Sequence, residues 1–394
     1  MKRVSVLGST GSVGVNTLDV LSRHADRFEV FSLTASTQID LLFQQIARFK
    51  PAYAMMASEP HAQMLAQRVA DHGLTTQVLG GSAAIELAAA HQDTDIVMAA
   101  IVGAAGLGAC MAAALAGKRL LLANKEALVV GGEVFLAAVR KGGATLLPID
   151  SEHSAVFQSL PEDRASWPER VGKIVLTASG GPFRTRDPAS FADITPDQAC
   201  KHPNWKMGRK ISVDSATMMN KALELIEAKH LFGLDPAQLE VVIHPQSIIH
   251  SMVQYHDGSI IAQLGTADMR VPIAYGLSWP DRMESGSSLL DFGTVRAMTF
   301  ESVLEHGHPQ RFPGLRLAAH AMQAAHGTCA VLNAANEVAV QAFLDGRLRF
   351  DQIHQLNLDM LEQVVPQNPV NLGDLIELDQ RTRAAAWAAI VAPA

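Results

Sequence analysis

Cysteine is scarce in this 394-residue chain: Cys110, Cys200 and Cys329 stand far apart and in no ligand pattern. An odd, scattered set argues against a disulfide framework or a thiolate zinc site and fits the reduced thiols of a cytoplasmic protein. Net positive charge is missing too. With 32 basic against 39 acidic residues the chain carries −7, so it has no broad cationic field. This argues against nucleic acid or a membrane surface as its main partner. Any anionic ligand must be met by a local set of donors. The first residues, MKRVSVLGSTG, have no apolar segment of signal-peptide length before Gly8, so folded structure is expected to begin at once. One uncharged run, Ile96 to Gly117, is long enough on paper to cross a bilayer. Its alanines and glycines contribute little to insertion, and a strand, a glycine loop and a small-residue helix are expected instead. Internal repeats, heptads and low-complexity tracts are absent.

What is present describes a globular chain of two or three domains, 48% hydrophobic and 18% charged. Apolar runs of strand length begin at Arg3, Phe28, Tyr53, Asp95, Arg119 and Thr145, with helix-like stretches between them. That alternation predicts an α/β fold, a Rossmann-like doubly wound parallel sheet whose ligands sit at the carboxyl ends of the strands. After residue 150 the regularity stops. An α+β pattern with a hairpin turn at Asp257-Gly258 follows, then a Pro/Gly/Ser-rich passage, then Ala-rich helical sequence. The expected division is 1–149 for the nucleotide, 150–278 for catalysis with a lid at 201–210, a linker at 279–304, and a small C-terminal helical domain at 305–394.

The loop GSTGSVG places Gly8, Gly11 and Gly14 between the first strand and the first helix, where backbone amides can hold a pyrophosphate. At the end of the second strand no carboxylate is found where NAD-preferring proteins place one for the ribose. Ser36, Thr37 and Gln38 stand there instead. They favour NADP by donating to a 2′-phosphate, against the alternative of an unoccupied polar loop. Asn124, Lys125 and Glu126 follow the strand at Arg119, either as a solvated helix start or as ligand contacts.

In the stretch LLPIDSEHSA, Asp150 and Glu152 follow the strand at Thr145. An extended backbone points alternate side chains the same way, and two carboxylates so placed can share a metal; the alternative is that they cap a helix. A third carboxylate favours the metal. Glu224 and Glu227 lie on a helix in VDSATMMNKALELIEA, and oxygen ligands suit Mg²⁺ or Mn²⁺. Ser179, Ser215, Asn220 and Lys221 supply hydroxyl, amide and ammonium donors of the kind that binds a phosphate monoester. Between them the loop KHPNWKMGRK has the composition of a lid, with Trp205 and Met207 closing over a ligand, or with Trp205 as a core anchor. His244 and His250 lie in strand-like sequence and read as satisfied core residues.

Together GSTGSVG, ANKEALV, PIDSEHSA, TASGGPF, HPNWKMGRKISVDSATMMNKALELIEA and HPQSIIHSMVQY make a chain that resembles the 1-deoxy-D-xylulose 5-phosphate reductoisomerase family over essentially its whole length. The resemblance implies a homodimer that uses NADPH and a divalent metal to turn a phosphorylated sugar into 2-C-methyl-D-erythritol 4-phosphate. The route is retro-aldol cleavage, aldol rejoining and hydride transfer, within non-mevalonate isoprenoid biosynthesis. It implies metal ligation by Asp150, Glu152 and Glu224. Substrate contacts fall to Lys125, Ser151, Ser179, His202, Ser215, Asn220 and Lys221, with Glu152 and Glu224 beside them, and Lys125, His202 and Trp205 join the catalytic set. Thr10, Gly11, Ser12, Val13, Asn124, Glu126 and Gly208 fall where the family contacts NADPH. The chain departs from it at Ser36, Thr37 and Gln38, where many members have Gly-Lys-Asn.

Two rivals make different demands. A semialdehyde-type dehydrogenase needs an activated cysteine with a histidine partner, for which Cys200 beside His202 is the candidate. An NADP-sensing regulator predicts cofactor binding without turnover.

Overall fold

The first sheet is built from strands that are apolar on both faces, the mark of a parallel sheet covered by helices on either side. In the computed structural model, which describes residues 1–205, 207–305 and 307–391, these strands are β1 (Lys2–Leu7), β2 (Phe28–Ala35), β3 (Tyr53–Met56), β4 (Gln77–Gly80), β5 (Ile96–Ala99), β6 (Arg119–Leu122) and β7 (Thr145–Pro148). Their order is β4-β3-β2-β1-β5-β6-β7 and every pairing is parallel. Leu120, Leu121 and Leu122 are fully buried, each stabilising the core by about 1.5–3 kcal/mol relative to an exposed side chain. The order reverses between β1 and β5, which places a ligand crevice at their carboxyl ends. The apolar run that begins at Ile96 divides as expected into β5, a glycine loop and the nine-residue helix Leu107–Leu115. Among the described residues no helix is long and apolar enough to cross a membrane.

Contacts gather the chain into two units: 1–127, 135–154 and 268–288 form the first, and 128–134, 155–267 and 289–394 the second. The first departs from the boundaries expected from sequence, because the helix Arg270–Ser278 packs on the helix Ser12–Arg23 and on β6 and β7. Arg270 donates to Asp19 Oδ2 at 3.1 Å across that contact.

The second unit holds a mixed sheet of β8 (Val171–Ala178), β9 (Leu239–Ile243), β10 (Ile249–Tyr255), β11 (Ile260–Leu264) and β12 (Glu301–Ser302), in the order β11-β10-β8-β9-β12. The hairpin expected at Asp257-Gly258 joins β10 to β11, with Gly258 at φ +90° and Asp257 accepting from the Ser259 amide. The helices Gly314–Gln323, Thr328–Leu344, Phe350–Gln363 and Leu372–Val391 supply the helical C-terminal region. Lys206 of the expected lid, and His306 and residues 392–394 of the expected C-terminal domain, lie outside the described residues.

Candidate active site

In the first unit, the glycine loop works by leaving room for backbone. Gly8 has φ +79°, and a Cβ there would stand 2.6 Å from the Ala100 oxygen at the end of β5. A Cβ on Gly14 would stand 2.4 Å from the Gly8 oxygen, whereas one on Gly11 meets nothing nearer than 3.4 Å. Two of the three glycines are therefore required by packing. Ser9 pins the loop from below, donating to Gln45 Oε1 at 2.7 Å and to the Thr34 carbonyl at 3.1 Å. Gly11 caps the helix Ser12–Arg23 without any side-chain acceptor, so the first-turn amides beside Thr10, Ser12 and Val13 remain for an anion. Ser36, Thr37 and Gln38 are exposed beyond β2.

Asn124 is buried and faces inward: its amide donates to the Ile101 and Gly103 carbonyls, and its oxygen accepts from the Ala127 amide at 2.8 Å. It fixes the loop after β5 against the start of the helix Glu126–Gly142. Glu126 is buried in the first turn of that helix. Lys125 forms an ion pair with Asp150.

The backbone does not stay extended through Ser151 and Glu152 as the alternation assumes. A helix, Ser151–Ser159, starts at once, and the Ser154 amide donates to the Asp150 carbonyl at 2.8 Å. Asp150 therefore precedes the helix and Glu152 sits in its first turn, where the dipole favours both charges. A helix start and a carboxylate pair coexist, since carboxylate oxygens of Asp150 and Glu152 lie within 4.8 Å of each other. Ser151 donates to Glu152 Oε2 at 2.5 Å.

In the second unit, the turn after β8 carries Gly180 at φ +81° and Gly181 at φ +66°, and a Cβ on Gly181 would stand 2.7 Å from the Ser215 oxygen. The turn that follows Ser179 thus packs Gly181 against the end of the helix Arg209–Ala216. His202 Nδ1 accepts from the amides of Asn204 and Trp205 at 3.1 and 3.0 Å, so its other nitrogen carries the proton, which points at Ser179 Oγ 2.9 Å away. Burial pushes the His202 pKa down to about 4, keeping the ring neutral. Ser179 Oγ also accepts from the Gly181 amide at 3.1 Å. With both lone pairs taken, the hydroxyl has only its own proton to offer, which suits an anion.

Trp205 follows His202 in the same loop, half-buried, its ring centroid 6.1 Å from that of His250. Asn204, which the motif pattern does not single out, ties this loop to the Pro245 carbonyl at 2.7 Å and to Ser247 Oγ at 3.0 Å. Gly208 is exposed and caps the helix Arg209–Ala216, with open space where a side chain would stand. His244 is a satisfied core residue, meeting the Thr299 carbonyl and the Ile248 amide. The Cys200 thiol points at the Arg209 carbonyl, 3.9 Å away. Both His202 nitrogens are engaged elsewhere, so the cysteine–histidine pair of the dehydrogenase rival does not form.

Ser215 lies in the last turn of its helix rather than at a cap. The chain then turns through Met218, which adopts φ +60°, into the helix Met219–Phe232. Asn220 donates to Glu224 Oε1, and Lys221 forms an ion pair with Glu224 Oε2. Glu224 and Glu227 are fully buried, and Lys221 nearly so.

Three family models cover the chain: 1-deoxy-D-xylulose 5-phosphate reductoisomerase over residues 4–132, its C-terminal domain over 146–232, and the DXP reductoisomerase C-terminal domain over 264–385. A curated relative from Cupriavidus pinatubonensis is 54% identical over 392 residues, which is 99% of this chain and 98% of the relative. The chain belongs to the 1-deoxy-D-xylulose 5-phosphate reductoisomerase family. A second reductoisomerase, from Pseudomonas putida, is 53% identical over 388 residues, covering 97% of this chain and 95% of its own. Among solved structures, a DOX-P reductoisomerase in complex with NADPH, fosmidomycin and magnesium superposes with a TM-score of 0.95 at 40% identity, covering 99% of this chain and 98% of that one. The reductoisomerase from Zymomonas mobilis in complex with NADPH gives 0.91 at 44% identity, with both chains covered in full.

Proposed function

We propose that this chain rearranges and reduces 1-deoxy-D-xylulose 5-phosphate to 2-C-methyl-D-erythritol 4-phosphate in isoprenoid biosynthesis, using NADPH and a divalent cation. The observation that carries it is the Ser179 hydroxyl, which His202 and the Gly181 amide leave with only its own proton to offer, in a unit that also buries the Lys221–Glu224 ion pair.

The residues fit both groups. Asp150, Glu152 and Glu224 offer only oxygen, the donor set of Mg²⁺ or Mn²⁺. Lys125 and Lys221 already hold positive charge against Asp150 and Glu224, as a part-buried and a fully buried carboxylate require. The glycine loop and the uncapped helix fit the cofactor's pyrophosphate, with Thr10, Gly11, Ser12 and Val13 along it. Asn124, Glu126 and Gly208 extend that contact, and Ser36, Thr37 and Gln38 receive the 2′-phosphate. When bound, the cation supplies Lewis-acid stabilisation of charge on the substrate's oxygens, and NADPH supplies the reducing equivalents.

The chain's own residues bind and orient. Ser179, Ser215, Asn220 and Lys221 donate to the phosphate, and neutral His202 fixes the direction of the Ser179 proton. Phosphate binding far from the reacting carbons aligns the fragments. Lys125 and Ser151 steer the acids and meet the sugar hydroxyls, while Trp205 excludes water and retains the fragments between cleavage and rejoining. Mixing purified protein with NADPH, Mn²⁺ and deoxyxylulose phosphate should bleach the nicotinamide absorbance, and chelation should stop it. NADPH binding with no turnover would instead favour the regulator.

The assembly is a homodimer. β11 is an edge strand, paired among the described residues only with β10, and Ile260 and Ile261 on it are 56% and 48% exposed. Such an edge invites a second copy, and sedimentation at twice the chain mass, lost in Ile261→Lys, tests this. The cytoplasm is its compartment, in keeping with three free cysteines, of which Cys110 is buried with its thiol pushed up to about 12.

A further inference from the structure

The helix Arg209–Ala216 is eight residues long, begins at an uncapped glycine and ends at the Met218 corner. A helix that short has little stability of its own, yet it carries Ser215. What fixes it is the neighbouring residue. Asp214 is 1% exposed and takes two charge-assisted contacts: Lys210 Nζ reaches its Oδ2 at 2.9 Å, and Asn336 Nδ2 donates to its Oδ1 at 2.7 Å. Asn336 lies in the helix Thr328–Leu344, and its own oxygen accepts from Asn357 Nδ2 at 3.1 Å, from the helix Phe350–Gln363. Both asparagines are fully buried. A carboxylate only accepts, so Asn336 must turn its nitrogen to Asp214 and its oxygen to Asn357, and the chain of bonds has one direction.

We infer that Asp214, Asn336 and Asn357 are positioning residues through which two C-terminal helices set the register of the helix bearing Ser215, and with it the affinity for the substrate's phosphate. Buried, directed polar bonds specify one arrangement where apolar packing tolerates several. An error of about 1 Å in a binding group is enough to cost up to about a hundredfold. The inference rests on the proposed role of Ser215 as a phosphate contact.

The test is steady-state kinetics on the full-length enzyme carrying Asn336→Leu, which keeps the branched side-chain shape and removes both bonds. The KM for deoxyxylulose phosphate and the inhibition constant of inorganic phosphate should rise together by about tenfold, with the KM for NADPH unchanged. Wild-type phosphate inhibition in a variant that merely melts earlier would overturn the inference and leave the network a structural one. If Asn336→Leu does not fold, Asn357→Leu, which only frees the Asn336 amide to turn, is judged by the same two constants. Ser215→Ala runs beside them. Unchanged phosphate inhibition there removes the phosphate role of Ser215 itself, a failure separate from that of the network.

Discussion

On the proposed reading, the two units meet anionic groups in opposite ways. In the first, the glycine loop offers backbone amides, and its acids are part-exposed: the Asp150 side chain is 17% exposed beside Lys125 at 10%. In the second, side chains do the work from within the core, with Glu224 at 0% and Lys221 at 4%. Backbone donors need only space, which glycine supplies. Buried side-chain donors need charge balance, so each member of the set depends on the others.

The hardest test of this contrast is Glu224→Gln. It should lower kcat on the order of a thousandfold. Because it also removes the counter-charge of a buried ammonium, it should lower stability by about 3–5 kcal/mol. Adding Lys221→Met should recover most of the melting temperature and none of the activity; if stability is unmoved by Glu224→Gln alone, the distinction between the units loses its main support. Next in size, Gly14→Ala should weaken NADPH binding by about a hundredfold through loop displacement, while Gly11→Ala, with free space around it, stays within about threefold of wild type by fluorescence titration.

Acid should then separate the units. Burial pushes His202, His230, His250 and His354, all in the second unit, down to about 4. Between pH 6.5 and 4 the unfolded chain binds more protons than the folded one at these sites, so stability is full above 6.5 and is lost as pH falls through that window. In the first unit, burial opposes but Arg23 and Arg270 outweigh it, holding Asp19 below its usual range, and Arg270 does the same for Asp268. Their contribution is lost only below about pH 4. Amide exchange should therefore show the second unit opening first, and simultaneous opening would refute the assignment. The smallest loss of stability is expected from Asp150→Asn, which should lower the melting temperature less than Glu224→Gln because the Asp150 side chain is 17% exposed against 0% for Glu224, with most turnover lost all the same.

Much of the parallel sheet was legible because its strands are uniformly apolar. β4 was not, since Gln77–Gly80 is a short, part-exposed edge with no alternation to detect. The acids at 150 and 152 were legible as a pair, and the helix that starts between them only as one of two alternatives, because a two-residue spacing fits an extended strand and a helix start alike. Likewise VDSATMMNKALELIEA gives no sign of its break, since a left-handed methionine has no signature in sequence. Asn333 and Asn336 do leave a trace: two amides in the apolar run VLNAANEVAV are out of place on a buried face unless they answer a partner, and only the fold shows that the partner of Asn336 is Asp214.

That left-handed methionine also bears on how the protein can be altered. On an unbroken helix Ser215 and Asn220 would be turned about 140° from each other, and one dihedral frees them from that separation. Protein engineers seeking a new phosphorylated substrate should therefore transplant residues 209–232 whole, because exchanging single positions across the elbow changes chemistry without carrying over the angle that aims it.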